Sequence, residues 1–257
     1  MTDVLLITGG ASGFGAALAP LAAARGWAVA VNYRSREGQA RAVVDAITQA
    51  GGRAAAIEAD VAREADIVRL FDETERALGP VTRLVNSAGI NGGARRVAEF
   101  DPAGLERLFA VNVVGLMLCC REAARRMSTA RGGKGGAIVN VSSMAATIGG
   151  RPGKSHYAAS KAAVDAFTVG FAREVAREGI RVNAIRPGVV RTGMTAAGLE
   201  DPATRADIEA TIAQGRIGEP GEIARAILWL LSDDAPFVSG ARLDASGGGF
   251  VIGRTTA

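Results

Sequence analysis

Short apolar runs alternate with longer helical patterns along almost the whole chain, and this alternation restricts the fold more than any other feature. "VLLIT" at 4–8 precedes a helical pattern near 13–25, "AVAVNY" at 28–33 precedes one near 36–50, and "AAAIEAD" at 54–60 precedes one near 64–78. "TRLVNSAG" at 82–89 is followed by a long helical pattern from Asp101 to about Met127, and "AIVNVSS" at 137–143 by one near 156–178. "IRVNAIRPG" at 180–188 leads into an irregular region and a helix near 220–232, and "ARLDAS" at 241–246 closes the series. Repetition of this kind folds as right-handed βαβ crossovers around a mostly parallel sheet. The first and fifth strands are continuous apolar runs, as expected of strands covered on both faces. The fold class that follows is α/β: a doubly wound parallel sheet of about seven strands with helices on both faces.

Local signals agree. Asp101-Pro102 supplies an N-cap followed by proline at the first helical position. Gly26 and Gly179 stand where helices should stop. "RGGKGG" at 131–136 reads as a flexible loop between a helix and a strand. No Pro/Ser-rich linker or repeat divides the chain, so residues 1–257 are expected to form one domain, with a lid around 191–217. At 48% hydrophobic and 22% charged the chain can bury a substantial core; with only 5% aromatic residues, Ala, Val, Leu and Ile must fill it.

Charge and cysteine content exclude several classes. The net charge is +4, but the basic residues are scattered arginines, with Lys134, Lys154 and Lys161 the only lysines; nucleic-acid binders more often cluster them. Cys119 and Cys120 are adjacent and cannot staple distant parts of a fold. Two cysteines and one histidine fall short of a spaced zinc site, so no metal is expected. "MTDVLLITGG" lacks the basic and long apolar regions of a signal peptide, and no apolar run looks long enough to span a bilayer. The expectation is a cytoplasmic chain in a reducing compartment, with no membrane partner.

"TGGASGFG" at 8–15 directly follows the first strand and opens the first helix. Such a loop suits a pyrophosphate: glycines admit close backbone approach, and the helix N-terminus offers free N–H groups and a positive dipole end. Its spacing, T-G-x-x-x-G-x-G through Gly9, Gly13 and Gly15, differs from the common G-x-G-x-x-G. Together with "NSAG" at 86–89, "NVSS" at 140–143, "YAASK" at 157–161, "RPGVVRTGM" at 186–194 and "DASGGG" at 244–249, it resembles the short-chain dehydrogenase/reductase family. The resemblance runs along nearly the whole chain; Ser87 replaces that family's second asparagine. It implies a single-domain Rossmann-type fold and a nicotinamide cofactor. The implied cofactor-binding set includes Gly9, Ser12, Gly13, Phe14 and Gly15, with Asn86, Ala88 and Gly89 from the second motif.

The second strand ends "VNYRSRE". By the resemblance, Tyr33 occupies the slot where an NAD-specific member has aspartate, and Arg34 and Ser35 follow. No carboxylate stands there to bind the ribose 2′-hydroxyl or to repel a 2′-phosphate, and a guanidinium makes charge-assisted contacts to phosphate. NADP(H) is therefore the expected cofactor, with Arg34 the main anchor and Asn32 and Ser35 as helpers. The family pattern also implies that Asp60 accepts from the adenine amino group, with Val61 alongside, and that Pro187 and Gly188 turn the chain over the nicotinamide. The Val190 backbone and the Thr192 hydroxyl would reach its carboxamide.

Tyr157 and Lys161 lie one turn apart on one face if 156–178 is helical. A free phenol titrates near 10, and an ammonium held nearby favours the phenolate, which fits tyrosine for general acid–base work on a carbonyl or alcohol. Lys161 would also bind the nicotinamide ribose. Ser143 would donate to the substrate oxygen where charge develops; Ser142 is its rival. Asn112, a polar residue inside a long apolar helix, reads either as a satisfied buried amide or, by the resemblance, as a kink whose carbonyl holds a water relaying protons to Lys161. His156 points roughly 100° around the helix from Tyr157 and reads as packing or surface. No G-x-S-x-G elbow or P-loop is present.

Substrate choice is expected to reside in 144–155 and 191–217. Arg95, Arg96, Arg151 and Lys154 allow an acidic substrate but read more simply as surface charges. The chain is also similar to 3-oxoacyl-carrier-protein reductases, although Glu178 stands where those commonly carry arginine, and to sugar and polyol dehydrogenases. The implied activity is reversible carbonyl/alcohol chemistry on a small molecule; a non-catalytic NADP-binding regulator is the alternative of another class. Small apolar faces on the helices near 101–127 and 156–178 point to a homo-oligomer, with a homotetramer implied by similar proteins.

Overall fold

The computed structural model describes residues 2–249. Strands β1 (Val4–Thr8), β2 (Ala28–Tyr33), β3 (Ala54–Glu58), β4 (Arg83–Asn86), β5 (Gly136–Val141), β6 (Ile180–Pro187) and β7 (Arg242–Ala245) form one sheet. Its order is β3-β2-β1-β4-β5-β6-β7, and every pairing is parallel. The expected class and the seven strands are thus present. The order reverses between β1 and β4, which creates the crevice at the carboxyl strand ends where doubly wound sheets bind ligands. Register brings Thr8 beside Asn86 and Asn86 beside Asn140, so the motif-bearing strand ends share that edge.

Strand alternation divides the core into two layers. Leu5, Ile7, Val29, Val31, Val85 and Val139 face α1 (Gly13–Ala23), α2 (Glu37–Gln49) and, across the sheet, Ile223, Ile227 and Leu231 of a helix at Pro220–Leu231. Val4, Leu6, Ala28, Ala30, Leu84, Ile138 and Val182 point the opposite way, toward Ile67, Leu70 and Phe71 of α3 (Glu64–Leu78) and toward residues of 108–127 and 155–175. Burying one such Leu, Ile or Val side chain contributes about 1.5–3 kcal/mol, so β1, buried at every position, has no alternative placement.

The long helical pattern after Asp101 is interrupted. It comprises α4 (Pro102–Phe109), a π-helical turn at Ala110–Gly115 and α5 (Leu116–Met127). Asp101 caps α4 by accepting from the Gly104 amide at 2.6 Å. Taken together, Pro102–Met127 meets the length and hydropathy criteria of a membrane span, with mean hydropathy 1.6, against the sequence expectation. Its Val111, Leu116, Cys119, Cys120, Ala123 and Met127 are buried in the core layer on the sheet, and its apolar character is that of a core helix. Next in chain order come the short α6 (Ala145–Ile148), the long α7 (Ser155–Val175), α8 (Pro202–Glu209) and α9 (Pro220–Leu231). Gly179, at φ 74°, follows the 3-10 turn that ends α7.

One local expectation changes. "RGGKGG" is tightly packed rather than a free loop: a Cβ on Gly135 would lie 2.4 Å from the Gly179 carbonyl oxygen, and one on Gly136 would lie 2.0 Å from that of Thr82. Glycine is needed there because the backbone passes between two other backbones. The segment 191–217 has its own small core, in which Leu199, Ile208, Ile212 and Ile217 cluster with Val189.

Candidate active site

The carboxyl strand ends open into a cleft of about 490 Å³. At one end lies the glycine loop. Gly9, at φ 65°, passes so close to the next segment that a Cβ would sit 2.8 Å from Ala88 Cα. Gly13, at φ 56°, lies against Thr192, whose Cγ2 would be 3.6 Å from a Cβ placed there. Ser12 is extended at the N-cap of α1 and its side chain makes no capping bond; no acidic residue stands in the first turn. Thr8 Oγ1 accepts from the amides of Ser87 and Ala88, each at 3.2 Å, and so ties the loop's strand to the second motif. The helix N-terminus and its dipole therefore face the cleft with donors available for phosphate.

Beyond the loop, Tyr33, Arg34, Ser35 and Arg36 line the cleft. Neither Arg34 nor Arg36 forms an ion pair among the described residues. Arg36 Nη1 extends to within 4.0 Å of a Cβ position on Gly193, across the cleft mouth. Two guanidiniums without an ion-pair partner thus stand beside the glycine loop, where they can donate charge-assisted hydrogen bonds to an anion. Asn32, expected as a helper at the phosphate, is instead bonded to backbone. Its Oδ1 accepts from the Gly9 amide at 3.1 Å, and its Nδ2 donates to the carbonyls of Tyr33, Ile57 and Ala59. With its amide engaged on both sides, it braces the loop. Asp60 and Val61 line the cleft as expected, but Arg107 Nη2 of α4 donates to both Asp60 oxygens at 3.1 and 2.9 Å. Burial pushes the Asp60 carboxyl up; the Ala62 amide, Arg107 and Arg34 outweigh that and hold it below its usual value.

At the other end, α7 presents Tyr157 and Lys161 one turn apart, with the Lys161 ammonium over the phenol ring at 5.8 Å from its centroid. Lys161 Nζ donates to the Val141 carbonyl at 2.8 Å. Burial lowers its pKa to about 8, and the negative charge of Asp165 opposes that shift. The expected lowering of the Tyr157 phenol by this ammonium is not met in this arrangement. Burial raises the phenol, and only the hydrogen bond from Ser143 works the other way. The ammonium is directed at a backbone carbonyl rather than at the phenolic oxygen. Both serines border the cleft but their hydroxyls are used differently: Ser142 Oγ donates to the Lys161 carbonyl at 3.1 Å, whereas Ser143 Oγ accepts from the Ala145 amide at 3.1 Å and bonds the Tyr157 phenol.

Three expected residues stand behind the cleft wall. Asn112 lies in the π-helical turn; its Oδ1 accepts from the Ile90 amide, and its Nδ2 donates to the Ile90 carbonyl, both at 2.9 Å, and to Ser160 Oγ at 3.1 Å. Asn86 donates to Asn140 Oδ1 at 2.9 Å and braces β4 against β5. Gly15 lets α1 start against the loop, where a Cβ would meet Gly10 Cα at 2.8 Å. His156 is buried edge-on against Phe100, with ring centroids 5.0 Å apart, which agrees with a packing role. Pro187, Gly188, Val190 and Thr192 line the cleft; Gly188 passes Ser246, where a Cβ would lie 2.9 Å from Cα. Sequence reasoning missed Arg107, for which the chain carries no local signal, and Arg36, whose signal was its place two residues beyond Arg34.

A family model described as enoyl-(acyl carrier protein) reductase matches residues 9–249. The uncharacterized oxidoreductase YgfF of Escherichia coli (strain K12) is 44% identical over 95% of this chain and 99% of its own length. A solved short-chain dehydrogenase/reductase from Serratia marcescens superposes with a TM-score of 0.88 at 33% identity, covering 96% of this chain and 97% of that one. A blue fluorescent protein from a metagenomic library, solved in complex with NADPH, gives the same TM-score, identity and coverage. Motif order, sheet topology and full-length similarity converge, and the chain belongs to the short-chain dehydrogenase/reductase family.

Proposed function

We propose that the protein is an NADP(H)-dependent oxidoreductase that interconverts a carbonyl and a secondary alcohol. The observation that carries this reading is the single cleft in which Ser143, Tyr157 and Lys161 lie at one end and the glycine loop with unpaired Arg34 and Arg36 at the other. Membership of an oxidoreductase family supports the chemistry, and an NADPH-bound structural neighbour supports the cofactor. The glycine loop, the α1 N-terminus and Thr192 would hold the dinucleotide's phosphates and nicotinamide end; Arg34, with Arg36 and Ser35 beside it, would hold the 2′-phosphate. The bound nicotinamide supplies or accepts the hydride. Ser143 Oγ donates to the substrate oxygen as charge develops there, and the Tyr157 hydroxyl delivers or removes the proton. Lys161 holds positive charge beside the phenol, and Asn112 fixes the Ile90 backbone that borders the site.

NADPH oxidation against a panel of ketones tests the reading. Tyr157→Phe should lower turnover by about 10²–10⁴-fold while cofactor binding, read by NADPH fluorescence, is retained; turnover at the parental rate would overturn the mechanism. Arg34→Ala should weaken NADPH binding by about tenfold or more, from loss of one charge-assisted contact, and leave NADH binding unchanged. If NADH binds the parent as tightly as NADPH, the cofactor assignment is wrong.

A further inference from the structure

Tyr157, Lys161 and Asp165 form an i, i+4, i+8 stripe on α7, and the third member has no part in the chemistry described above. Asp165 is 5% exposed. Its Oδ2 accepts from Arg186 Nε at 2.8 Å, and its Oδ1 is buried without a hydrogen-bond partner. Arg186 lies on β6, next to the strand whose Val141 carbonyl holds Lys161, and its Nη1 also reaches Asp244 on β7 at 3.3 Å. Helical side chains lean toward the N-terminus, so a carboxylate one turn past Lys161 leans over the lysine's own turn. We infer that Asp165, fixed in direction by Arg186, is a positioning residue that serves as the buried counter-charge of Lys161.

The surroundings of Lys161 offer no substitute. Val141 at the end of β5, Ser142 after it, Gly89 and Asn112 present uncharged groups, and α6 and the π-helical turn carry no ionisable residue. On α4, Arg107 is held by Asp60, and Glu106 is exposed. On α5, Glu122 is enclosed by Arg121, Arg125 and Arg126. On β6, Arg181 points to the carbonyls that end α9. On α7 itself, His156 packs on Phe100, and Tyr157 is the lysine's working partner. Asp165 alone exerts a resolved charge effect on Lys161, and it favours the ammonium.

The inference rests on the proposed role of Lys161, but its test does not depend on turnover. The chain has three lysines, so ¹³Cε labelling of lysine gives three resonances, and a Lys161→Met variant assigns the one of interest. Asp165→Asn removes the charge and keeps an acceptor for Arg186; the Lys161 titration midpoint should fall by about one unit. The double variant Asp165→Asn with Arg186→Gln covers the case in which an unpaired Arg186 prevents folding; its midpoint should fall by less than in the single variant, since a cation is lost with the carboxylate. Asp244→Asn, which removes the exposed partner of Arg186, should leave the midpoint in place. The alkaline limb of the pH–rate profile should move to lower pH in step with the resonance. An unchanged Lys161 midpoint in a folded Asp165→Asn protein, or an equal fall in Asp244→Asn, overturns the inference. A falling midpoint in a protein that reduces no ketone upholds the coupling and rejects the enzymatic reading instead.

Discussion

Lys161 is a buried amine in a protein that otherwise uses arginine for almost every cation. Arginine could not replace it, because its guanidinium stays charged at any physiological pH and its planar fork does not fit a single carbonyl and a ring face. Lysine fits but costs stability. Its pKa is lowered by burial to about 8 in the folded protein, against 10.5 for the free side chain, so between these values the unfolded chain binds more protons than the native one. Stability therefore rises with pH through that window, and the penalty is fully present below pH 8. Lys161→Met removes the charge and keeps the volume. It should raise unfolding free energy at pH 7 by roughly 2–3 kcal/mol, offset in part by the lost bond to Val141, and the difference from the parent should shrink as pH rises toward 10. Denaturant melts at pH 7 and pH 9.5 check this; a variant less stable than the parent at pH 7 would show that the lysine stabilises the fold as it stands.

At the level of elements, the π-helical turn is where local propensity yields to the site. Asn112 interrupts an apolar helical pattern, and the structure shows why that interruption is tolerated: its amide bonds both backbone groups of Ile90 across 22 residues. The interruption was legible as a polar residue in an apolar run; the partner was not, because nothing in a linear pattern says which distant backbone will come to it. The same limit applies to Arg107 and Asp60, which meet across 47 residues. Strand and helix positions were far more legible, since burial on both faces leaves a continuous apolar mark, and the glycine loop before α1 and the Asp101 cap before α4 mark two of the helix starts. Asn112→Ala should destabilise the protein by about 1–3 kcal/mol, since it leaves two part-buried backbone groups of Ile90 without their partner, while Ser160 keeps its bond to the Tyr157 carbonyl. Hydrogen exchange at the Ile90 amide should speed up more than exchange at β1 amides such as Leu6. Equal acceleration at both would mean that the turn supports the global fold and not the cleft wall.

Across the whole molecule, charge and apolar surface are unevenly arranged. Arginine–carboxylate pairs tie helices to one another, as Arg126 does with Asp72 at 2.6 Å and Arg121 with Glu64 at 2.8 Å. The β7 side is different. Phe237 is fully exposed and Trp229 of α9 is 41% exposed, and both flank the stretch that leads into β7, an open edge of the sheet. Charged Arg242 and Asp244 on that strand discourage edge pairing with arbitrary chains, so a covering partner has to meet aromatic side chains and opposite charges at once. A second copy of the chain carries the same aromatic side chains and both charge signs on a self-complementary patch. We expect a homo-oligomer built through this side, with a tetramer as its closed form. Light scattering should give a mass well above the 26.3 kDa of one chain. Phe237→Ser combined with Trp229→Gln should lower that mass while the fold, read by circular dichroism, persists, because neither residue contributes to the buried core. A parent that scatters as a monomer rejects the assembly outright, and a variant that keeps the parent mass moves the interface to the helical faces near 101–127 and 156–178, beside which Val114 of the π-helical turn is exposed.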